Sequence, residues 1–171
     1  MTFRTDAPAL VAIGMGSNLT PRAARLQDAA GGLVGVLETP RFSPVYETAP
    51  MHMTEQPTYL NACCVGRSRL RPRALLERLK ALERGAGRRS GGARFGPREL
   101  DLDILLYGAD VVDVPGLAIP HPRLHERAFA LAPLADLEPD WSHPLLGRTV
   151  SELLEETGRN GIERTTIELL E

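Results

Sequence analysis

Residues 99–108 read ELDLDILLYG, a segment in which acidic and apolar side chains alternate. Alternation with a period of two predicts a β-strand, on which Asp101 and Asp103 share one face with Cα atoms roughly 7 Å apart. Two neighbouring carboxylates repel each other unless a cation lies between them, and oxygen-only ligands of this kind suit Mg²⁺. A solvated acidic strand face is the alternative, which Glu99 favours. The segment therefore predicts a strand and a candidate magnesium site.

A basic, glycine-rich segment, GAGRRSGGARFGPR at 85–98, leads directly into this strand. Its five glycines make the backbone costly to order and predict a mobile loop. Arg88, Arg89, Arg94 and Arg98 lie in the segment, and arginine binds phosphate oxygens in a planar fork. A flexible basic loop beside a metal-binding strand suits polyphosphate transfer. The alternative is a solvated surface loop.

The rest of the chain mixes strands and helices. Residues 9–15 and 58–66 have the pattern of strands, and 41–47 that of an edge strand because its proline has no amide to donate. An amphipathic helix is predicted to begin at Pro72. Hairpin-like spacing between strands predicts one α+β domain over residues 1–171, with helices on a sheet, and not a doubly wound parallel sheet.

Other segments give weaker predictions. The first strand is expected to end at Gly16-Ser17-Asn18, and the tail at 161–171 is compatible with a strand or a short helix. Helical structure is predicted from Pro21 until Gly31-Gly32 weaken it, in part of 121–137, and over 149–157.

The composition is that of an ordinary globular protein: 171 residues, 43% hydrophobic, 25% charged and a net charge of −2. The slightly acidic charge argues against a general nucleic-acid or membrane binder. No run of about 18 apolar residues predicts a transmembrane helix, and the N-terminus lacks the pattern of a signal peptide. Cys63 and Cys64 are adjacent, which disfavours a disulfide between them and fits a reducing compartment. We therefore expect a cytoplasmic protein.

Arginine supplies almost all of the positive charge, since the chain has 19 Arg and a single Lys, Lys80. Ala81 follows Lys80, so the Gly-Lys-Ser/Thr of a phosphate-binding P-loop does not occur. Ten of the arginines lie between Arg67 and Arg98. A bound nucleotide would therefore have its phosphates held by arginine, backbone amides and metal.

Three further residues are candidates for ligand contacts. Tyr59 and Asn61 lie two apart on a predicted strand and could present an aromatic ring and an amide to a flat heterocycle, although a strand tyrosine is more often packing. His121 lies between two prolines in a rigid loop that could direct it at a ligand, and no zinc spacing links it to another histidine. Phe129, in a helical segment, has the pattern of a core residue.

Four segments together resemble one enzyme family, 6-hydroxymethyl-7,8-dihydropterin pyrophosphokinase. The segment at 94–108 is a highly specific signature, and all four segments occur in the family's order and spacing. They are GSNL at 16–19, SPVYETAPM and QPTYLNA within 43–62, RFGPRELDLDILLYG at 94–108, and IPHPRLHERAFALAPL at 119–134.

The resemblance implies a ferredoxin-like α+β fold with a mainly antiparallel sheet and three mobile active-site loops. It also implies a ternary complex of ATP, two Mg²⁺ ions and the pterin, in which the pterin hydroxyl attacks the β-phosphorus and AMP leaves. No nucleic-acid or membrane partner is expected, and we expect a monomer.

The resemblance further implies roles for individual residues. Asp101 and Asp103 match the magnesium ligands, and Arg88 and Arg98 the phosphate-handling arginines; these four are the expected catalytic residues. Positions lining the ATP site are matched by Glu83, Arg88, Arg98, Ile104, His121 and Arg127. Positions of the pterin pocket are matched by Thr48, Ala49, Tyr59, Asn61, Phe95 and Phe129, with Tyr59 and Phe129 on either side of the ring.

The chain departs from the family pattern in places. Phe95 stands where several relatives carry Trp, Ser90 where a second loop arginine is frequent, and Ala49 where proline is frequent. The alternatives are another magnesium-dependent phosphotransferase, a ferredoxin-like nucleotide- or RNA-binding module, and an inactive relative. Both Asp101 and Asp103 are retained, which argues against the inactive relative.

Overall fold

The first part of the chain follows the order β-α-β-β-β-α-β, in which two short strands replace the second strand of a β-α-β-β-α-β unit. A computed structural model describes residues 7–18, 21–48, 58–86 and 100–170. The elements of the first part are β1 (Ala9–Ser17), α1 (Arg22–Val34), β2 (Glu38–Phe42), β3 (Tyr46–Thr48), β4 (Tyr59–Ser68), α2 (Pro72–Gly85) and β5 (Asp101–Tyr107). The second part comprises β6 (Val112–Val114), β7 (Leu117–Ile119), a short 3-10 helix (Leu124–Glu126), α3 (Ala128–Leu137), α4 (Val150–Thr157) and β8 (Ile162–Arg164).

The main sheet has the strand order β5-β1-β4-β3-β8, and β2 also pairs with β4. All of its pairs are antiparallel. With β2 and β3 taken as one interrupted strand, the order is fourth, first, third, second, which is the ferredoxin-like arrangement. The predicted α+β class and ferredoxin-like topology are therefore confirmed.

Apolar side chains fill a core on each face of this sheet. On β1, Val11 and Ile13 belong to the core that packs against α1 and α2, whereas Ala12 belongs to the core that packs against α3 and α4. We call these the α1 face and the α3 face. Cys64 and Cys63 lie in the two different cores and form no disulfide, as predicted.

A β-bulge interrupts β5 next to the predicted magnesium site. Ile104 pairs with Ile13 and Leu106 pairs with Ala12, which leaves Leu105 as the extra residue. Leu105 and Leu106 both lie in the α3-face core, whereas Ile104 lies in the other. Such a bulge locally changes which way the side chains point.

Several predicted elements are confirmed, but the predicted C-terminal ends of the first strand and of the first helix were wrong. The strands at 9–15 and 58–66 and the helix from Pro72 are present. The helix at 149–157 is present too, with a capping box made by Thr149. β1, however, runs beyond Gly16 to Ser17.

The helix from Pro21 also does not weaken at Gly31-Gly32, because α1 continues to Val34. A Cβ on Gly32 would lie 2.6 Å from Leu82 Cδ2, so this glycine lets α1 and α2 approach closely. The close packing of the two helices thus explains why α1 contains a glycine at this position, although glycine disfavours a helix in isolation.

The predicted edge strand at 41–47 is instead two strands. β2 ends at Phe42 and β3 begins at Tyr46, with Pro44 between them. Ser43 Oγ accepts a 2.8 Å hydrogen bond from the Cys63 amide and so replaces part of the interrupted ladder. For the tail, the sequence allowed a strand or a short helix. The structure shows a short strand there, β8.

No helix in the four described stretches is long and apolar enough to cross a bilayer. Most of the segment 85–98 that was predicted to be a mobile loop lies outside the described residues, as do residues 49–57.

Candidate active site

A row of side chains crosses the α3 face at one end of the sheet. Gly16 of β1 lies opposite Asp101 of β5 on one side and opposite Asn61 of β4 on the other. Asn61 in turn lies opposite Tyr46 of β3. Directly opposed residues point to the same face, and neighbouring strands are about 4.8 Å apart. Asp101 and Asn61 therefore stand on the same face, about 10 Å apart, with only a glycine between them.

Two glycines form the floor between these polar groups. Gly14 lies opposite Asp103, just as Gly16 lies opposite Asp101. A Cβ on Gly16 would lie 3.1 Å from Asn61 Oδ1, and one on Gly14 would lie 3.2 Å from Leu105 Cδ2. Any larger residue would therefore press on its neighbours and fill the space beside the carboxylates.

The two carboxylates on β5 are electrostatically coupled. Burial raises the pKa of Asp103 to about 7, and the negative charge of Asp101 acts in the same direction. The positive charges of Lys80 and Arg127 oppose the increase. A cation bound beside Asp103 would favour its ionised form.

Glu83 of α2 supports β5 from its outer edge. Its side chain is 1% exposed, and Oε2 accepts hydrogen bonds from the Leu102 amide at 2.8 Å and from Lys80 Nζ at 3.1 Å. Leu102 lies between the two aspartates, so Glu83 holds the backbone that carries both. Its charge also contributes to the raised pKa of Asp103.

His121 lies beside β5 with a defined hydrogen-bonding pattern. Its amide donates to the Leu105 carbonyl at 3.0 Å, and its Nδ1 accepts from the Arg123 amide at 3.1 Å. Burial, followed by the charge of Arg127, lowers the pKa of His121 to about 4. The imidazole is therefore neutral at pH 7, and because Nδ1 accepts a hydrogen bond, the proton is on Nε2.

Arg127 lies just before α3, and its guanidinium carbon is 5.5 Å from the centroid of the Phe129 ring. Burial lowers the pKa of Arg127, and the carboxylates of Asp103 and Asp101 oppose that change. Its Nε is buried and has no hydrogen-bond partner among the described residues. A buried donor of this kind is costly unless an acceptor satisfies it, and a phosphate oxygen is a suitable acceptor.

A second polar group lies on the far side of the glycine floor. Asn61 Nδ2 donates a 2.7 Å hydrogen bond to Thr48 Oγ1, and both residues are buried. Thr48 lies opposite Tyr59 in the ladder of β3 and β4. An amide, a hydroxyl and an aromatic ring are thereby held on adjacent strands. Such a set can recognise a flat, hydrogen-bonding heterocycle.

Phe129 lies in the first turn of α3 and packs, partly buried, against the α3-face core. This contact agrees with the packing role that its sequence pattern favoured. Phe129 also makes a cation–π contact, which holds the guanidinium of Arg127 over its ring.

The structure thus brings together most of the predicted site residues that it describes. Asp101, Asp103, His121 and Arg127 form one group, and Thr48, Tyr59 and Asn61 form another across Gly16. The side chain of Ile104 lies in the α1-face core, on the opposite face of β5 from the carboxylates. Arg88, Arg98, Ala49 and Phe95 lie outside the described residues.

The donors present fit Mg²⁺. Asp101 and Asp103 offer only oxygen ligands, and the pKa of Asp103 is raised by burial and then by the charge of Asp101, both of which a bound cation would offset. Among the described residues, no three His, Cys, Asp or Glu side chains come together. Two carboxylates without a third suit Mg²⁺, which keeps several waters and shares its other positions with substrate phosphates.

Sequence reasoning missed some contributors to the site. Gly16 was interpreted as the end of the strand and Gly14 only as part of it, although their spacing of two places both on one strand face. Lys80 was considered only as evidence against a P-loop, yet it binds Glu83 and its charge acts on Asp103. Its spacing of three from Glu83 on a helix was the available signal.

Curated proteins similar to this chain are folate-synthesis enzymes. The Arabidopsis thaliana protein named folate synthesis bifunctional protein, mitochondrial, is 48% identical over 128 residues, which are 74% of this chain and 23% of that protein. The chain thus spans about a quarter of that relative. The 2-amino-4-hydroxy-6-hydroxymethyldihydropteridine pyrophosphokinase of Pseudomonas aeruginosa is 40% identical over 156 residues, covering 90% of this chain and 95% of that protein.

A solved structure and a family-wide comparison agree with these relatives. The crystal structure of wild-type HPPK-DHPS from Plasmodium falciparum superposes with a TM-score of 0.68 at 14% identity, covering 94% of this chain and 49% of that one. This likeness concerns the fold alone. The sequence model described as 7,8-dihydro-6-hydroxymethylpterin-pyrophosphokinase matches residues 12–139. The chain therefore belongs to the 7,8-dihydro-6-hydroxymethylpterin-pyrophosphokinase family.

Proposed function

We propose that this protein transfers a diphosphate group from ATP to 6-hydroxymethyl-7,8-dihydropterin, a step of folate biosynthesis. The hydroxyl oxygen of the pterin forms a bond to the β-phosphorus. The bond from that phosphorus to the oxygen bridging the α-phosphate breaks, and AMP leaves with the electron pair. The products are AMP and the pterin diphosphate, and the hydroxyl proton is released.

The residues around β5 form the proposed phosphate side of the site. His121 is neutral and offers Nε2–H, while Arg127 offers a buried Nε–H that no described residue accepts, so both can donate to phosphate oxygens. Glu83 and Lys80 hold the backbone of β5 in place. Arg88 and Arg98 complete this side by their match to the family pattern.

The residues of β3 and β4 form the proposed pterin side. Asn61 and Thr48 supply hydrogen bonds in a buried setting, and Tyr59 lies beside them. Phe129 would cover the other face of the ring, and Ala49 and Phe95 are assigned to this pocket by motif alone. The floor formed by Gly14 and Gly16 leaves space for the reacting groups between the two sides.

Asp101 and Asp103 are the proposed ligands of two Mg²⁺ ions. When bound, these ions would neutralise the triphosphate and orient its oxygens for displacement. The contribution of the chain is to hold both carboxylates on one rigid strand, with Glu83 bonded to the amide between them.

The single observation that carries the proposal is the register Asp101–Gly16–Asn61, which puts the Asn61 amide on the same face as the Asp101 carboxylate. The test is to incubate the protein with ATP, Mg²⁺ and hydroxymethyl dihydropterin and to identify the nucleotide product. AMP formed only when the pterin is present supports the proposal.

Other products would indicate another function. ADP would indicate a magnesium-dependent kinase that transfers one phosphoryl group, and the absence of turnover would indicate a nucleotide- or RNA-binding module. Either result contradicts the proposal.

We further propose that residues 1–171 form one domain that works as a cytoplasmic monomer on small-molecule substrates. Phe95, Ser90 and Ala49 depart from the family pattern in the loops, so we expect them to affect loop closure and rate and not the type of reaction. Size-exclusion chromatography with light scattering would test the monomer.

A further inference from the structure

Arg22, at the start of α1, binds residues on both sides of the segment 49–57. Its Nη1 donates to the Thr58 carbonyl oxygen at 2.8 Å and to Thr58 Oγ1 at 2.7 Å. Its Nη2 donates to Glu47 Oε2 at 3.4 Å. One planar guanidinium therefore connects the end of β3 with the residue just before β4.

These contacts adjoin the proposed pterin side without belonging to it. Glu47 and Thr58 are the chain neighbours of Thr48 and Tyr59, which lie opposite each other in the ladder. Glu47 alternates with Thr48 along β3 and so points to the other face of the sheet, where α1 packs. Arg22 therefore acts from beneath the sheet and does not enter the site.

The position of Arg22 answers a physical requirement. A long connection between two strands does not by itself fix their register, because a tight turn is what normally does so. The pair of Thr48 and Tyr59 is the last pair before the chain leaves the two strands. A cross-link from one rigid helix to both strand ends would hold this terminal pair together.

Two features distinguish this contact from an ordinary surface ion pair, which contributes little. The Arg22 side chain is 25% exposed, and two of its three hydrogen bonds go to Thr58, one of them to backbone. By comparison, Arg25, one turn further along α1, donates to the Ala86 carbonyl at 3.0 Å at the end of α2.

We propose that Arg22 is a positioning residue for pterin recognition, holding the ends of β3 and β4 so that Thr48, Tyr59 and Asn61 keep their relative placement. The inference rests on the proposed function of these three residues. It predicts that Arg22 affects the binding of the pterin but not that of ATP. The reason is that the phosphate side of the site is built on β5 and the segment before α3.

The test compares steady-state AMP formation by Arg22→Ala, Arg22→Lys and Thr58→Val with that of the wild type. Thr58→Val removes one acceptor without changing charge or backbone. Arg78→Ala, at an exposed position on α2, is the matched control for the loss of one positive charge. In the kinetic assay each substrate is varied separately. The thermal midpoint is also recorded for every variant.

We expect Arg22→Ala to raise the KM for the pterin about tenfold, equivalent to about 1.4 kcal/mol, with the KM for ATP and kcat changed less than about twofold. Arg22→Lys cannot form the fork and should recover only part of the loss. Thr58→Val should raise the pterin KM by a smaller factor, and Arg78→Ala should leave it unchanged.

Two results would overturn the inference: an unchanged pterin KM in both Arg22→Ala and Thr58→Val, or an equal increase for both substrates together with a lower thermal midpoint. If Arg22→Ala does not fold, the near-isosteric Thr58→Val decides the question. A wild type that forms no AMP contradicts the proposed function itself, whereas an active wild type with an unaffected Arg22→Ala variant contradicts only the role of Arg22.

Discussion

Asn61 Nδ2 donates a 2.7 Å hydrogen bond to Thr48 Oγ1, which joins two residues 13 positions apart on adjacent strands. Both side chains are buried, so water cannot easily replace this bond if it is lost. The same amide lies beside Gly16, because Asn61 Oδ1 would be 3.1 Å from a Cβ there. The Asn61 amide is thus held by Thr48 on one side and faces the glycine backbone on the other.

Thr48→Val should therefore destabilise the protein and weaken pterin binding. Valine matches threonine in shape but leaves the Asn61 donor without its acceptor, at a cost of about 1–2 kcal/mol. Urea denaturation and calorimetric titration with pterin would measure the two effects. Thr48→Ser keeps the hydroxyl and should behave close to wild type; equal losses in both variants would contradict the role given to the hydrogen bond.

Gly16→Ala should impair activity more than stability. The added methyl group presses on Asn61 Oδ1 and occupies the floor between the two sides of the site, so we expect pterin affinity and AMP formation to fall several-fold while the protein stays folded. Gly31→Ala is the control, since a Cβ there meets nothing within 4 Å, and in a helix it should stabilise by up to about 1 kcal/mol. Normal turnover by Gly16→Ala would show that the floor is not part of the site.

Asp103→Asn should abolish most of the activity and stabilise the metal-free protein at high pH. The folded pKa of Asp103, about 7, lies above its ordinary value of 3.8. The folded state thus holds this proton more tightly, so the metal-free wild type loses stability as the pH rises from about 4 to about 7. Since one pKa unit corresponds to about 1.4 kcal/mol, the variant, which lacks that loss, should be more stable at pH 8 by up to about 4 kcal/mol.

Denaturation of both proteins with a chelator at pH 5 and pH 8, and an AMP assay with Mg²⁺, would measure these effects. Asp113→Asn, at an exposed position on β6, should change neither. A stability difference that does not grow with pH would contradict the raised pKa of Asp103.

His143 should make the protein less stable in mild acid. Its Nδ1 accepts hydrogen bonds from the Leu145 and Leu146 amides at 3.2 Å each. Burial, followed by the charge of His125, lowers the pKa of His143. Its contribution to stability is fully present above the unfolded value of about 6.5 and is lost as the pH falls below it, because the unfolded chain takes up the proton first.

His143→Asn, whose side-chain oxygen can accept the same amide hydrogen bonds, should reduce the fall in thermal midpoint between pH 7 and pH 5. His121 also has a lowered pKa, so part of the pH dependence should remain. An unchanged pH profile in the variant would exclude His143 as a source of it.

Tyr59→Ala should weaken pterin binding by about 1–3 kcal/mol, by analogy with base–aromatic stacking, and leave ATP binding unchanged. Separate titrations with the two ligands would measure this. Equal losses for both would mean that Tyr59 serves packing alone, the alternative that its position on a strand suggested.

The sequence by itself determined the features that depend on local periodicity. Asp101 and Asp103 share a face because a strand repeats every two residues, and α2 begins at Pro72 because its leucines recur at helical spacing and proline fits the first turn. The family motifs added the ferredoxin-like topology, which periodicity alone did not supply.

The tertiary structure decided what depends on contacts between distant residues. Gly32 lets Leu82 of α2 pack closely against α1, and where the 41–47 segment divides, Ser43 bonds to Cys63 across the sheet. The raised pKa of Asp103 needs burial and the charges of other elements. The link from Arg22 to Glu47 and Thr58 spans 25 and 36 positions of the chain. Such contacts depend on strand register and helix packing. Both are determined by the free energy of the whole folded chain and not by the preferences of any one segment.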